Sequence, residues 1–166
     1  MARVTKVEHA RKDYPDHGIK KGDTYYWWQF AFGRKQMSKI PPTRQQLTQS
    51  GFLHCLYEIQ DRIAGLAPET VDDLKSDVED IVSDIEALRD EQEEKRSNMP
   101  EQLQESDSGN LLQERYDELD SWASDLQSVD LDFEPDEEQT DAEQKEAEEE
   151  FLAYALSEIQ STDSGL

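Results

Sequence analysis

The stretch Val71-Asp72-Asp73-Leu74-Lys75-Ser76-Asp77-Val78-Glu79-Asp80-Ile81-Val82-Ser83-Asp84-Ile85-Glu86-Ala87-Leu88 decides the fold. Val71, Leu74, Val78, Ile81, Ile85 and Leu88 recur at alternating steps of three and four, which is one face of an α-helix. Most of the residues between them are acidic. Asp72, Asp73, Asp77, Asp80 and Asp84 fall on the polar side, where exposed carboxylates lack the burial or close partners that tune an acid for catalysis. They read as a solvated face that attracts hydrated divalent ions only loosely. Pro68-Glu69 suits the first turn. From Val71 to Arg96 the helix would run about 39 Å.

The same periodicity continues on both sides. Upstream, Phe52, Leu56, Ile59, Ile63 and Leu66 form a stripe that Thr48 or Ser50 can cap, broken at Gly65 and Pro68. His54 and Cys55 fall on this helix, and Cys55 is expected to be a small buried apolar group. Downstream, Ser97-Asn98-Met99-Pro100 stops the long helix and opens a third, with Leu103 near its start and a weak centre at Ser106–Asn110. Leu112, Tyr116, Leu119, Ala123 and Leu126 then repeat the spacing, with Leu111, Trp122 and Val129 widening it. Two long helices with a short connection predict an antiparallel helical hairpin or coiled coil. Residues 130–150 hold twelve acidic groups and one lysine, an acidic linker or solvated helix in which Pro135 forbids an early helix interior. A last helix, about Thr140 to Gln160, carries Phe151, Leu152, Ala155, Leu156 and Ile159. That stripe is a candidate partner-docking surface, or packs on the chain's own hairpin. Residues 161–166 read as a frayed tail.

Before residue 48 the character changes. Thr24 to Phe32 holds six of the chain's 14 aromatic residues and favours a strand. Gly33-Arg34 suits a type II′ turn, with a return strand from Lys35 to Ile40 ended by Pro41-Pro42. That register pairs Phe32 with Lys35, Phe30 with Met37, Trp28 with Lys39, Gln29 with Ser38 and Trp27 with Ile40. Tyr26, Trp28, Phe30 and Phe32 would share one face and Tyr25 and Trp27 the other, more ring surface than a two-stranded hairpin can bury. A further element must cover one face.

The chain has 166 residues, 34% apolar, with a net charge of −23. Residues 1–44 carry ten basic and four acidic groups, a net +6, while residues 45–166 sum to −29. Such asymmetry predicts two units with opposite electrostatic roles. The fold class is therefore α+β, mostly α: a basic aromatic β-hairpin unit at 1–47, an acidic helical hairpin at 48–129, and an acidic linker with a short helix at 130–166. No apolar run reaches membrane-span length, and no N-terminal apolar region suggests a signal peptide. One cysteine excludes an internal disulfide framework and a cysteine-rich zinc site. No phosphate-binding glycine loop, dinucleotide fingerprint, zinc-protease motif or nucleophile elbow is present.

His9-Ala10-Arg11-Lys12-Asp13-Tyr14-Pro15-Asp16-His17-Gly18-Ile19-Lys20-Lys21-Gly22-Asp23-Thr24-Tyr25-Tyr26-Trp27-Trp28 resembles the opening of PARP-type or treble-clef zinc-finger-like modules. Those carry a similar isoleucine–lysine–glycine–acid–x–tyrosine–x–tryptophan string after a Cys-x-x-Cys pair. Ser38-Lys39-Ile40-Pro41-Pro42 and Gln46-Leu47-Thr48-Gln49-Ser50 are similar to stretches of uncharacterised phage and prophage proteins. The resemblance covers about residues 5–51. The zinc cysteines are absent, so it implies such a module without its metal. His9 and His17, eight residues apart, read as exposed or hydrogen-bonded side chains.

These features predict a non-enzymatic binding or regulatory protein without a cofactor or metal, phage-encoded and cytoplasmic in the host cell. Lysine and arginine interleaved with rings suit nucleic acid, through Lys20, Lys21, Tyr25, Trp27, Arg34, Lys35, Lys39 and Arg44. An acidic protein, or the chain's own helices, would suit the same cations. The acidic helices imply a protein partner, in a monomer or homodimer. Two other readings are a DNA mimic directed at a host nuclease or defence protein, and a coiled-coil structural or assembly protein.

Overall fold

The computed structural model describes residues 2–134 and 140–166, so the part of the acidic linker at 135–139, Pro135 included, lies outside the described residues. Three strands come first: β1 (Thr5–Val7), β2 (Tyr25–Trp28) and β3 (Gln36–Ser38). Helices α1 (Gly51–Ala64), α2 (Val71–Ser97), α3 (Glu101–Gln104), α4 (Asp107–Ser128) and α5 (Asp141–Ser161) follow. The fold is α+β, mostly α. It divides into two compact units, Met1–Glu58 and Ile59–Leu166, with the division inside α1.

In unit 2 the stripe of α2 is buried from Val71 to Leu88, joined by Val82 and Gln92. Thr70 caps the helix, its Oγ1 accepting the Asp73 N–H at 3.1 Å. Helix α4 faces it with Leu119, Trp122, Ala123 and Leu126. The pairing is antiparallel: Lys75 near the start of α2 reaches Asp132 beyond the end of α4 at 3.0 Å, whereas Arg89, further along α2, reaches Asp120 at 2.8 Å. The expected weak centre at 106–110 is broken only at its edge: the interruption is Glu105–Ser106, and residues 107–110 form the first turn of α4. Helix α3 ends at Gln104, and the Ser106 side chain then caps α4 by accepting the Gly109 N–H at 3.4 Å.

Helix α5 begins at a capping interaction in which the Glu143 carboxylate accepts the Thr140 N–H at 2.9 Å. That hydrogen bond, with a second from the Thr140 hydroxyl, holds the Glu143 carboxyl below the ordinary glutamate range. Residues 161–166 are not a frayed tail. Thr162 Oγ1 accepts from Trp122 Nε1 at 3.1 Å, and the buried Ser164 accepts from Gln60 Nε2 at 3.0 Å. These polar anchors lack the apolar period that marks an ordered segment, so the sequence pattern conceals them.

Gln92 extends the α2 stripe one step beyond Leu88 with a polar side chain. It is fully buried; its Nε2 donates to the Leu88 carbonyl at 3.0 Å, but its Oε1 has no partner. An unsatisfied buried acceptor costs on the order of 1–3 kcal/mol. Gln92→Leu, close in size and free of that acceptor, is therefore expected to stabilise unit 2 by about 1 kcal/mol, read as a higher midpoint in urea denaturation. A lower midpoint would mean that the amide satisfies a need of the core.

Unit 1 holds a three-stranded antiparallel sheet in the order β1-β2-β3, not a two-stranded hairpin. Thr5 pairs with Trp27 and Val7 with Tyr25, so β1 supplies the third strand. On the other side Tyr26 pairs with Ser38, Trp27 with Met37 and Trp28 with Gln36. This register differs by three residues from the expected one. The cause is the connection: Gly33 N–H donates to the Phe30 carbonyl at 3.1 Å and Gln29 Nε2 to the Gly33 carbonyl at 3.0 Å. Residues 29–35 thus form a seven-residue loop in place of a two-residue turn. An odd shift exchanges faces, so Met37 joins Tyr25 and Trp27 rather than Phe30. Phe30 and Phe32 leave the sheet altogether.

Candidate nucleic-acid interface

Residues 8–24 build the base of the candidate surface. Ala10 N–H donates to the Asp23 carbonyl and Gly22 N–H to the Ala10 carbonyl, both at 2.9 Å. Further out, Tyr14 and Ile19 bridge as an antiparallel pair around a 3₁₀ turn at Pro15–His17. Gly18 and Gly22 have φ of 64° and 95°, conformations that only glycine adopts without strain. Ala10, Ile19 and Tyr25 are buried together, with Val7, Tyr14, Trp27 and Met37 packed around them. Tyr14 and Tyr25 lie 5.6 Å apart between ring centroids. The hydrogen bond with Tyr14 and burial raise the Tyr25 hydroxyl above its ordinary value.

The eight residues singled out from sequence divide into four groups. Tyr25 is buried at 5% exposure, so its ring is core and offers no stacking face. Lys39 and Arg44 are turned to internal partners: Lys39 Nζ lies 2.8 Å from Asp23 Oδ2, and the Arg44 guanidinium sits 4.8 Å from the Tyr57 ring centroid. The bond from Lys39, with the Lys20 backbone N–H, holds the Asp23 carboxyl below the usual aspartate range. Lys20, Lys21, Arg34 and Lys35 are exposed, and no salt bridge among the described residues engages their side chains. Trp27 is half-buried, with Lys35 Nζ 3.8 Å from its ring centroid. That cation–π pair keeps one face of the indole beside a positive charge.

Sequence reasoning assigned Phe32 to the sheet face and so missed its position. It is fully exposed in the 29–35 loop, next to Gly33-Arg34-Lys35. The signal that could have placed it is Gly33 itself, which ends a four-residue turn begun at Phe30. Ile40, 71% exposed, is a second apolar side chain displayed by this unit. At the foot of the loop lies a hollow of about 340 Å³, lined by Arg3, Gln29, Phe30, Ala31, Leu47 and Thr48 among others.

His9 and His17 are exposed, and no cluster of three or more His, Cys, Asp or Glu among the described residues is placed to hold a metal ion. Cys55 is exposed rather than buried. The α1 stripe is centred on Phe52, Leu56, Ile59 and Ile63, and Cys55 lies on its flank.

The candidate partner stripe of α5 packs inside unit 2. Ala155 and Ile159 are buried, Phe151 lies tilted against Phe133 with centroids 5.4 Å apart, and Leu152 and Leu156 are half-buried. Among the described residues, no helix is long and apolar enough to cross a membrane. Comparison of the chain with protein-family models, curated proteins and solved structures finds no match.

Proposed function

We propose that this chain is a non-enzymatic binding protein whose unit 1 contacts nucleic acid and whose acidic helices engage a protein partner. The observation that carries the reading is the placement of Lys20, Lys21, Arg34 and Lys35, all exposed, on a unit with ten basic and five acidic groups. The remaining residues, 59–166, sum to −28. Cations that no salt bridge among the described residues engages, in a chain so rich in carboxylates, are available to phosphates. Trp27, packed on the core with Lys35 over its ring, holds that cation beside the exposed Arg34. The likeness of residues 38–42 and 46–50 to phage and prophage stretches supports a phage-encoded protein.

The test is fluorescence anisotropy of the full chain with a labelled single-stranded oligonucleotide. Four neutralised phosphates would weaken binding roughly fifty-fold between about 50 and 200 mM salt. Changing Lys20, Lys21, Arg34 and Lys35 together to glutamate is expected to abolish binding. Absence of binding by the native chain at low salt would defeat the proposal. So would binding that ignores both salt and the charge reversals.

A further inference from the structure

We infer that Phe32 is a base-stacking residue and that the nucleic acid bound by unit 1 is single-stranded; the inference rests on the function proposed above. Three observations converge on the 29–35 loop. Its tip presents a phenyl ring wholly to water, where an unpartnered aromatic gains nothing for the fold. The loop is nonetheless built: the Phe30–Gly33 turn and the Gln29 side chain fix its backbone, so the ring is displayed from a defined base. Arg34 and Lys35 follow directly, and the exposed Arg3 lines the hollow at the loop's foot.

A ring flanked by cations matches the alternation of base and phosphate along a single strand. The ring would lie against one base while Arg34 and Lys35 meet the neighbouring phosphates. The hollow, at the small end of the range for ligand sites, roughly 300–1,000 Å³, would receive the next base beside Phe30. A duplex keeps its base faces stacked inside and offers the ring no such partner. An anionic membrane is the less favoured occupant. Phe32 and the exposed Ile40 together offer less apolar surface than a single acyl chain, which by itself anchors a protein to a membrane only marginally.

The experiment compares the native full chain, Phe32→Ala and Phe32→Trp at low salt on three probes: labelled oligothymidine, a duplex of the same length, and phosphatidylcholine–phosphatidylserine vesicles. Because the side chain is exposed, all three proteins should give the same circular dichroism. Phe32→Ala should weaken oligothymidine binding by about tenfold to a hundredfold, with Phe32→Trp restoring it and duplex binding weaker throughout. Equal oligothymidine binding by Phe32→Ala and the native chain, still lost on reversing the four cations, would overturn the stacking role while leaving the proposed function standing. Equal or tighter duplex binding would overturn the single-strand assignment. No oligonucleotide binding by the native chain would remove both. Phe32-dependent vesicle binding without oligonucleotide binding would replace the nucleic acid with a lipid surface.

Discussion

Trp122→Ala is expected to destabilise unit 2 by about 3–5 kcal/mol, the largest effect of any single change considered for the helical unit. The indole is 2% exposed in α4, among the side chains that face α2. Its truncation removes a large apolar volume from a site that neighbouring helices cannot fully refill. It also removes the donor to Thr162 Oγ1, through which the end of α5 and the C-terminal residues are fastened to α4. For a unit of about a hundred residues, each kcal/mol lowers the melting temperature by roughly 4–8 °C, so a fall of about 15 °C or more should appear in far-ultraviolet circular dichroism. Trp122→Phe keeps one six-membered ring but loses the pyrrole half of the indole together with its hydrogen bond, and should cost about 1–3 kcal/mol, less than alanine. If the alanine variant melted within a few degrees of the native chain, Trp122 would not be a core residue.

Gly109→Ala should destabilise the α3–α4 junction, although alanine is the better helix former by about 1 kcal/mol. A Cβ at Gly109 would stand 2.1 Å from the Gln104 carbonyl oxygen and 2.5 Å from its carbon. Those are backbone atoms, so relief requires the end of α3 to move. A net loss of about 1–3 kcal/mol is expected, as for other overpacked sites. Amide hydrogen exchange should accelerate first around Glu101–Gln104. The control is Gly65→Ala, where the nearest approach is 3.2 Å, to the Asp61 carbonyl oxygen. A Gly109→Ala protein with greater stability would mean that α3 and α4 can merge into one helix, and that the break is a property of the glycine alone.

Periodicity made the helical unit legible. The stripe from Val71 to Leu88 repeats at helical spacing over about five turns, so it and its partner on α4 follow from the pattern. Gln92 escaped because the stripe continues there through a polar residue. The β unit was less legible for a different reason. Register depends on loop length, and the seven residues of 29–35 owe their form to a side-chain hydrogen bond from Gln29 that no propensity encodes. Thr5–Val7 is too short for alternation to show, yet it places Tyr25 in the core. The candidate interface was legible as charge. Which cations are already occupied, such as Lys39 by Asp23, follows only from the tertiary geometry.

The antiparallel pairing of α2 and α4 has an electrostatic consequence at long range. Each helix carries a macrodipole equivalent to roughly half an elementary charge at either end. Set side by side in opposite directions, the two largely cancel beyond the ends of the hairpin. The far field of unit 2 therefore owes more to its carboxylates than to the dipoles of these two helices. Such a field accelerates the approach of a cationic group, and within about a Debye length, near 8 Å in physiological salt, local side-chain charges take over. At that range the ion pairs of Lys75 with Asp132 and Arg89 with Asp120 leave local neutral points on the acidic surface.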